Sequence, residues 1–512
     1  MSDLPKNRAS SSDNLLLLAV DERAFPLREN IALYLTKPEI RKEPVLEPST
    51  EPNAPDNLAT HLYGTVLKEG ERFRIWYYAV HQMEVVDGMG VSPVCYAESE
   101  DGENWTRPEL GQVEWKGSRA NNAIALGPDP TEACSGVSVI RDDQEANPAK
   151  RYKMVYGKQL PLALKEKLGV ERRWVVLTAT SPNGIEWTEQ DSLVSGDKFA
   201  ELSSFYQHNG LYIVNTHMSS RGEGDRPEGR QGYAWVSTDF EHWLSESAPS
   251  FRTAEPAEGA GWGTHGATGG AYTQVHLGVG ATSLGNVAVG LYGMWYQRVP
   301  NWGPGGTSCD LGLVVSQDGL HFDEVVKGRP YIRSEDSPAN QIEGQNCPTI
   351  LCQTNSILNV GSETWIYHGR WRNVEFQSLA EPNVLAKDYW AGVGLAKIPR
   401  DRWGALALWG DENEGSVWTT PVTLTANSTL LANVADSEGL RFTLADERFQ
   451  PLPGFENGKA AGDPTSDLDA KIGWAGHDLT ELGERTVRVR IHFRRSSEQN
   501  PRVYALRFQP SE

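Results

Sequence analysis

The chain of 512 residues carries 48 Lys and Arg against 68 Asp and Glu, a formal net charge of −20, with 39% hydrophobic and 23% charged residues. That length exceeds one ordinary domain, the composition is that of a folded globular chain, and an acidic balance without a concentrated basic patch excludes nucleic acid and anionic membranes as partners. The longest early apolar run, Leu15–Val20, falls far short of the roughly 20 residues that cross a bilayer. The polar stretch before it lacks the apolar core of a signal peptide, so residues 1–14 read as a disordered tail on a cytoplasmic chain. Five cysteines (Cys95, Cys134, Cys309, Cys347 and Cys352) form no Cys-x-x-Cys spacing and read as reduced, mostly buried thiols.

From Leu15 onward one short phrase recurs. Its copies are Ser99-Glu-Asp-Gly-Glu-Asn-Trp105, Ser181-Pro-Asn-Gly-Ile-Glu-Trp187, Ser237-Thr-Asp-Phe-Glu-His-Trp243 and Ser316-Gln-Asp-Gly-Leu-His-Phe322, with a worn fifth at Ile398–Trp403. Each follows an apolar, β-branched run. In three copies an Asp/Asn-Gly step supplies the positive φ of a tight turn, and the aromatic three residues later packs back on the sheet. The rings of Trp105, Trp187, Trp243 and Phe322 are therefore expected to be buried. Upstream of each phrase lies an aromatic-rich strand, from Arg72–Tyr78 in the first copy to Glu363–His368 in the fifth, and before that a further strand ending in a turn. Three or four strands per unit, five times over, with almost no helical periodicity, predict an all-β chain with a five-bladed β-propeller over residues 15–408. After an acidic link at Gly410–Gly415, residues 415–512 alternate through short strands and predict an accessory β-sandwich.

The starts of a propeller's innermost strands surround a central funnel. Just before those strands the chain offers Asp56, Glu132, Glu201 and Glu343, one from each of four units, while the fourth unit offers His265, Tyr272 and His276 instead. Four acids in one pocket would repel each other unless they shared protons or held a cation. Carboxyl pairs walled by aromatic rings are what cleavage of a glycosidic bond requires: one donates a proton to the leaving oxygen while the other activates water or attacks carbon. Trp262, Trp302 and Trp371, set among glycines and polar residues, are candidates to present a flat face to a sugar. Glu343 stands beside the amides of Gln341, Gln345 and Asn346, which would hydrogen-bond it or hold hydroxyl groups. Glu201, followed by apolar Leu202, reads as the better acid, because desolvation raises a carboxyl pKa.

The pattern Gly-Thr-Val-Leu, Phe-Arg-Ile-Trp-Tyr and Tyr-Ala-Glu-Ser-Glu-Asp-Gly-Glu-Asn-Trp in the first unit resembles the five-bladed propeller glycoside hydrolases of the arabinanase/xylosidase and invertase/levanase type, and most closely their uncharacterised bacterial relatives. The resemblance covers roughly residues 15–512 and rests on strand and turn motifs. It implies a base or nucleophile from the first blade, where Asp56 stands; a middle carboxylate that orients substrate, where Glu132 stands; and an acid at Glu201 or Glu343. The chain departs from the invertase group in lacking an Asn-Asp-Pro-Asn-Gly block and a Glu-Cys pair, and Arg141-Asp142-Asp143 matches its Arg-Asp-Pro only loosely, with Asp142 placed as a turn residue. Asp21, on an N-terminal segment, either reaches the site or closes the ring. The resemblance also implies a place for a calcium ion near the axis, with His276 as its residue. A lone histidine at a strand start more often binds substrate or makes a structural hydrogen bond, so no cofactor is expected. The expected partner is a carbohydrate, with the oligomeric state left open. The competing class is a non-catalytic sugar-binding or scaffolding propeller; a sialidase fits less well, because here the Asp and Gly of the repeat are adjacent.

Overall fold

The computed structural model describes the chain apart from residues 1–9, 12–13, 82–84, 87–88, 91–92, 127–133, 161–164, 168, 170, 172–173, 197, 199, 222–227, 253–273, 298–306, 345–346, 373–388, 497–498 and 511–512. The fold is all-β. Most of the expected tail lies outside the described residues, while Ser10–Ser11 pairs with Val422–Thr423.

The repeated phrases close five antiparallel units. The first runs through Ala59–Glu69, Arg72–Val80 and Val94–Ser99. The second holds Cys134–Arg141, Tyr152–Gln159, Trp174–Ser181 and Thr188–Leu193, and the third Glu201–His208, Leu211–Arg221, Glu228–Ser237 and Ala248–Phe251. In the fourth, Gln274–Ser283, Ala288–Gln297 and Thr307–Ser316 are flanked by Asp323–Glu324 and Pro330–Ile332. In the fifth, Thr349–Cys352 and Ile357–Val360 both pair with Glu363–Arg372, which pairs with Ala391–Pro399. Its outermost strand, Glu39–Ile40, comes from the other end of the chain.

Apolar layers join the units in order. Trp76 and Tyr96 of the first meet Val139 and Met154 of the second. Val155 and Val176 meet Phe205 and Trp235; Tyr206 and Ile213 meet Val279 and Tyr292; Leu311 and Leu313 meet Leu351 and Ile366. The last layer packs Tyr367 and Leu395 of the fifth against Phe73 and Ile75 of the first. The turns reinforce the layers. Ser99 Oγ accepts the Gly102 N–H (2.8 Å) and Asp101 Oδ1 those of Glu103 and Asn104, a pattern repeated at Ser181, Ser237 and Ser316. Gly102, Gly184 and Gly319 sit at φ +75°, +76° and +72°, and Phe240 takes the same place at +66°. A side chain of the preceding unit then donates to the turn carbonyl: Trp76 to Gly184 (2.8 Å), Tyr206 to Gly319 (2.5 Å) and Tyr367 to Gly102 (2.8 Å). Phe322 is buried as expected. Trp105, Trp187 and Trp243 are only half-buried, because each caps its layer from the rim; Trp105 and Trp187 return the indole N–H to their own turn glycine.

The innermost strands meet around Asn355. Its Oδ1 accepts from Thr65 (2.7 Å) and its Nδ2 donates to Phe205 O (2.9 Å) and Val139 O (3.4 Å), while its own carbonyl accepts from Thr282 (2.6 Å). One residue of the fifth unit thus touches all four others.

Two further sheets share one apolar core that includes Phe25, Leu406, Phe442, Val489 and Phe508. One contains Glu414–Trp418, Val422–Leu424, Leu440–Ala445 and Arg485–Arg494; the other contains Ser428–Ala435, Ser466–Gly473 and Arg502–Pro510. Leu15–Leu18, Leu27–Glu29, Ile31–Leu35 and Gly404–Leu408 pair into these two sheets. The N-terminal run serves both bodies: Leu15, Leu17 and Phe25, with Leu406 and Leu408, enter the C-terminal core, while Leu16, Leu18 and Val20 pack against Val289, Leu313 and Ile366 of the repeated units.

Replacing Asn355 by Leu keeps the side-chain size but strands two carbonyls and a hydroxyl, at roughly 1–3 kcal/mol for each buried group left unpaired. Urea unfolding should show a loss of roughly 3–5 kcal/mol on that basis; a loss below about 1 kcal/mol would contradict the role given to this residue.

Candidate functional site

Antiparallel pairing puts the start of each unit's first strand beside the end of its second and the start of its third. At that end several polar and aromatic side chains converge. First strands bring His61, Tyr63, Glu201 and His276; second strands bring Tyr78, His217, Trp295 and Trp371; Arg230 lies on a third strand, and Tyr389 just ahead of another. His61 stacks on Tyr78 with ring centres 4.6 Å apart and hydrogen-bonds the Tyr389 hydroxyl, with Trp371 edge-on at 5.7 Å. Tyr63 lies 5.6 Å from Tyr78, and its hydroxyl is 3.2 Å from His276 Nε2. Tyr63, Tyr78, Tyr389, Glu201 and Arg230 are half-buried and form the open face, whereas His61, His217, His276 and Trp371 are buried behind them.

The protons on two of the histidines follow from their partners. Arg230 lies 3.4 Å from His276 Nδ1, and a guanidinium can only donate, so the His276 proton is on Nε2 and faces Tyr63. The Leu277 N–H donates to His217 Nδ1 (3.0 Å), which leaves the His217 proton on Nε2, 3.4 Å from Glu201 Oε2. Burial, followed by the charge of Arg230, pushes His217 and His276 well below the ordinary histidine range, and burial alone takes His61 down to about 3. Burial also raises the Tyr63 and Tyr78 hydroxyls and takes the Cys352 thiol up to about 12. Among the described residues the site therefore presents neutral imidazoles, phenols, the Arg230 guanidinium and the carboxyl group of Glu201.

Of the residues expected at the funnel, Glu201, His276 and Trp371 are brought together here. Trp371 is a buried wall, not an exposed platform. Leu202 points the other way, into the core with Phe205, and the Glu201 side chain is 32% exposed. Asp56 is fully buried on the Tyr77 side of its unit: one carboxylate oxygen accepts from Tyr77 (2.8 Å) and from Arg107 (2.7 Å), and that charge is spent inside the fold. Glu343 is exposed on a turn. The Gln341 amide expected to support it instead donates to Ala339 O and accepts from the Cys347 N–H. Asp21 is buried at the opposite end, where it accepts from the Arg23 N–H and from Gln317, a residue that follows a third strand. Asp142 accepts the Gln144 N–H, as a turn residue does. Glu132, Trp262, His265, Tyr272, Trp302, Gln345 and Asn346 lie outside the described residues.

A search confined to ionisable groups ahead of first strands missed Tyr78, His217 and Trp295, which come from the ends of second strands, and Arg230 on a third. The usable signal was the placing of polar and aromatic residues at the ends of otherwise apolar strands, as in Thr216-His217 and Tyr77-Tyr78. His276 is a poor place for a cation, since Arg230 and Tyr63 engage both its nitrogens. Among the described residues no group of three or more His, Cys, Asp or Glu is arranged to hold a metal. A groove of about 580 Å³ between the second and third units is lined by Glu145, Asp191, Asp239 and Glu241 with Lys150 and Lys153, of which Lys153 bonds Glu145 (2.7 Å) and Lys150 bonds Glu241 (2.6 Å).

No protein-family model and no curated protein matches the chain. Among solved structures it is similar to a glycosyl hydrolase from Bacteroides ovatus, at 16% identity and a TM-score of 0.44, over 72% of this chain and 95% of that one. It is also similar to a glycoside hydrolase family 43 arabinoxylan arabinofuranohydrolase from Bacillus subtilis, at 11% identity and a TM-score of 0.36, over 91% of this chain and 99% of that one. Both are glycoside hydrolases, the class that the strand and turn motifs resemble.

The buried histidines make stability depend on pH. His61 and His368 are each taken from an ordinary 6.5 to about 3, so an unfolded chain binds protons that the folded one refuses. Their contribution is complete above pH 6.5 and is lost as pH falls from there towards 3, by roughly 1.4 kcal/mol per pH unit for each. Urea unfolding at pH 7.5, 6.5 and 5.5 should show stability falling towards acid, and falling less steeply in His368→Gln. Equal slopes in the two chains would contradict it.

Proposed function

We propose that the chain is a glycoside hydrolase built as a five-bladed β-propeller with a C-terminal β-sandwich, and that it cleaves a glycosidic bond of an oligosaccharide at the strand-start end of the propeller. The five antiparallel units, joined by successive apolar layers with the fifth packed on the first, support the propeller. The observation that carries the function is the half-open carboxylate of Glu201 beside phenol rings, neutral imidazoles and a guanidinium. Phenol faces stack on the C–H faces of a sugar, while Arg230 and the tyrosine hydroxyls suit its hydroxyl groups. Glu201 takes the part of the accepting carboxylate, because the group that faces it is the N–H of His217. A second carboxyl group must protonate the leaving oxygen. Glu132 is assigned that part, as the remaining acid beside a first-strand start; Asp56 is tied to Arg107, and Glu343 stands on an exposed turn.

Hydrolysis of a panel of aryl glycosides and short oligosaccharides tests this. The wild-type chain should turn over at least one, and Glu201→Gln should lower kcat by roughly 10²–10⁴-fold without change in melting temperature. Full turnover by Glu201→Gln overturns the assignment. Sugar binding by the wild-type chain without turnover of any substrate would support a non-catalytic binding propeller.

A further inference from the structure

The first strand of the fourth unit is broken by a bulge between His276 and Val279. Leu277 and Gly278 there both take positive φ, +61° and +83°. A buried leucine takes that conformation only where the surroundings impose it. Gln353, two residues before Asn355, does so by donating from Nε2 to the carbonyls of both His276 and Gly278 (2.8 Å for Gly278). The bulge also sits directly on the neighbouring strand: a Cβ on Gly278 would lie 2.2 Å from Thr216 O. The strain turns the Leu277 N–H towards the third unit, where it meets Nδ1 of His217. His217 and Glu201 are cross-strand partners in register.

We propose that His217 is a positioning residue: the bulge locks its imidazole as the Nε2–H tautomer, and that N–H orients the carboxylate of Glu201 for reaction. This rests on the hydrolase reading above. The 3.4 Å separation from Glu201 is long for a hydrogen bond, as catalytic contacts often are before substrate closes the site. A neutral ring with one proton and one fixed acceptor can only donate towards Glu201; it cannot compete for the proton being transferred. The other charged and titratable groups around the pair are Arg230 and His276, with Tyr63 and Tyr78 at the opening; Arg230 opposes a positive charge on His217.

The test uses the full chain and the aryl glycoside turned over fastest. His217→Phe, which leaves the Leu277 N–H unpaired, should lower the melting temperature but keep the fold, lower kcat by roughly 100-fold with KM within about threefold on the same reasoning, and move the acidic limb of the kcat profile to higher pH, because a carboxylate that loses a donor holds its proton more tightly. His217→Gln, whose amide can both accept from Leu277 and donate onward, should recover most of the rate. Unchanged kcat and acidic limb in His217→Phe, with Glu201→Gln inactive, would overturn the positioning role and leave the hydrolase reading standing; a fully active Glu201→Gln would overturn that reading itself. Side-chain nitrogen NMR of the histidine-labelled chain needs neither substrate nor a folded His217 variant. His217 should appear as the neutral Nε2–H tautomer from pH 8 to 5, with its Nε2 resonance shifted by Glu201→Gln. The Nδ1–H tautomer, protonation near pH 6.5, or a resonance indifferent to Glu201→Gln would each overturn the proposal.

Discussion

Asn355 sits where the innermost strands of the repeated units converge, and its amide and carbonyl are shared among the other four units. Backbone groups of the surrounding strands, Val139 O and Phe205 O among them, face this side chain, and a buried peptide group must find a partner. A single short polar side chain there meets several of these demands at once, and no apolar residue of the same size could. Ser356 and Thr354 extend the network, with Ser356 Oγ accepting the Val66 N–H (2.8 Å) and donated to by Thr354 (2.6 Å).

The same segment reaches into the candidate site. Gln353 holds the carbonyls on either side of Leu277, and the bulge it stabilises sets the proton on His217. Frame and site therefore share one covalent connection of a few residues, Gln353 to Ser356. The site needs that rigidity. His217 and His276 are buried and neutral beside a guanidinium, so their protons are fixed by partners rather than by solvent. Among the described residues of the site, the phenols, Arg230 and Glu201 are left partly open.

Much of the fold was legible in the sequence because a repeat prints the same local demand several times. The Ser-x-Asp-Gly phrase requires a positive φ three residues after the serine whose Oγ accepts that residue's N–H, and the structure meets it even where Phe240 replaces glycine. The setting of the N-terminal strands was not legible because an apolar run such as Leu15–Leu18 states that it must be buried but not against what; its partner, Ala505–Phe508, lies at the far end of the chain. The site was only partly legible. Position relative to the first strand leads to Glu201 and His276, which lie in the polar and aromatic cluster proposed as the site. It failed for Asp56, whose partner Arg107 follows a strand some 50 residues later and leaves no local trace. His217 was invisible for a related reason: its significance depends on a bulge in another unit.

The most direct test of where the chemistry occurs is a crystal structure of the Glu201→Gln chain with a bound oligosaccharide. The anomeric carbon of the intact bond should lie beside residue 201, about 3–3.5 Å away or bridged by one water, with sugar rings against Tyr63, Tyr78 or Tyr389 and a hydroxyl on Arg230. Sugar seated instead in the Lys153–Glu241 groove, or on the outer faces of the C-terminal sheets with the strand-start end empty, would contradict the assignment of the site.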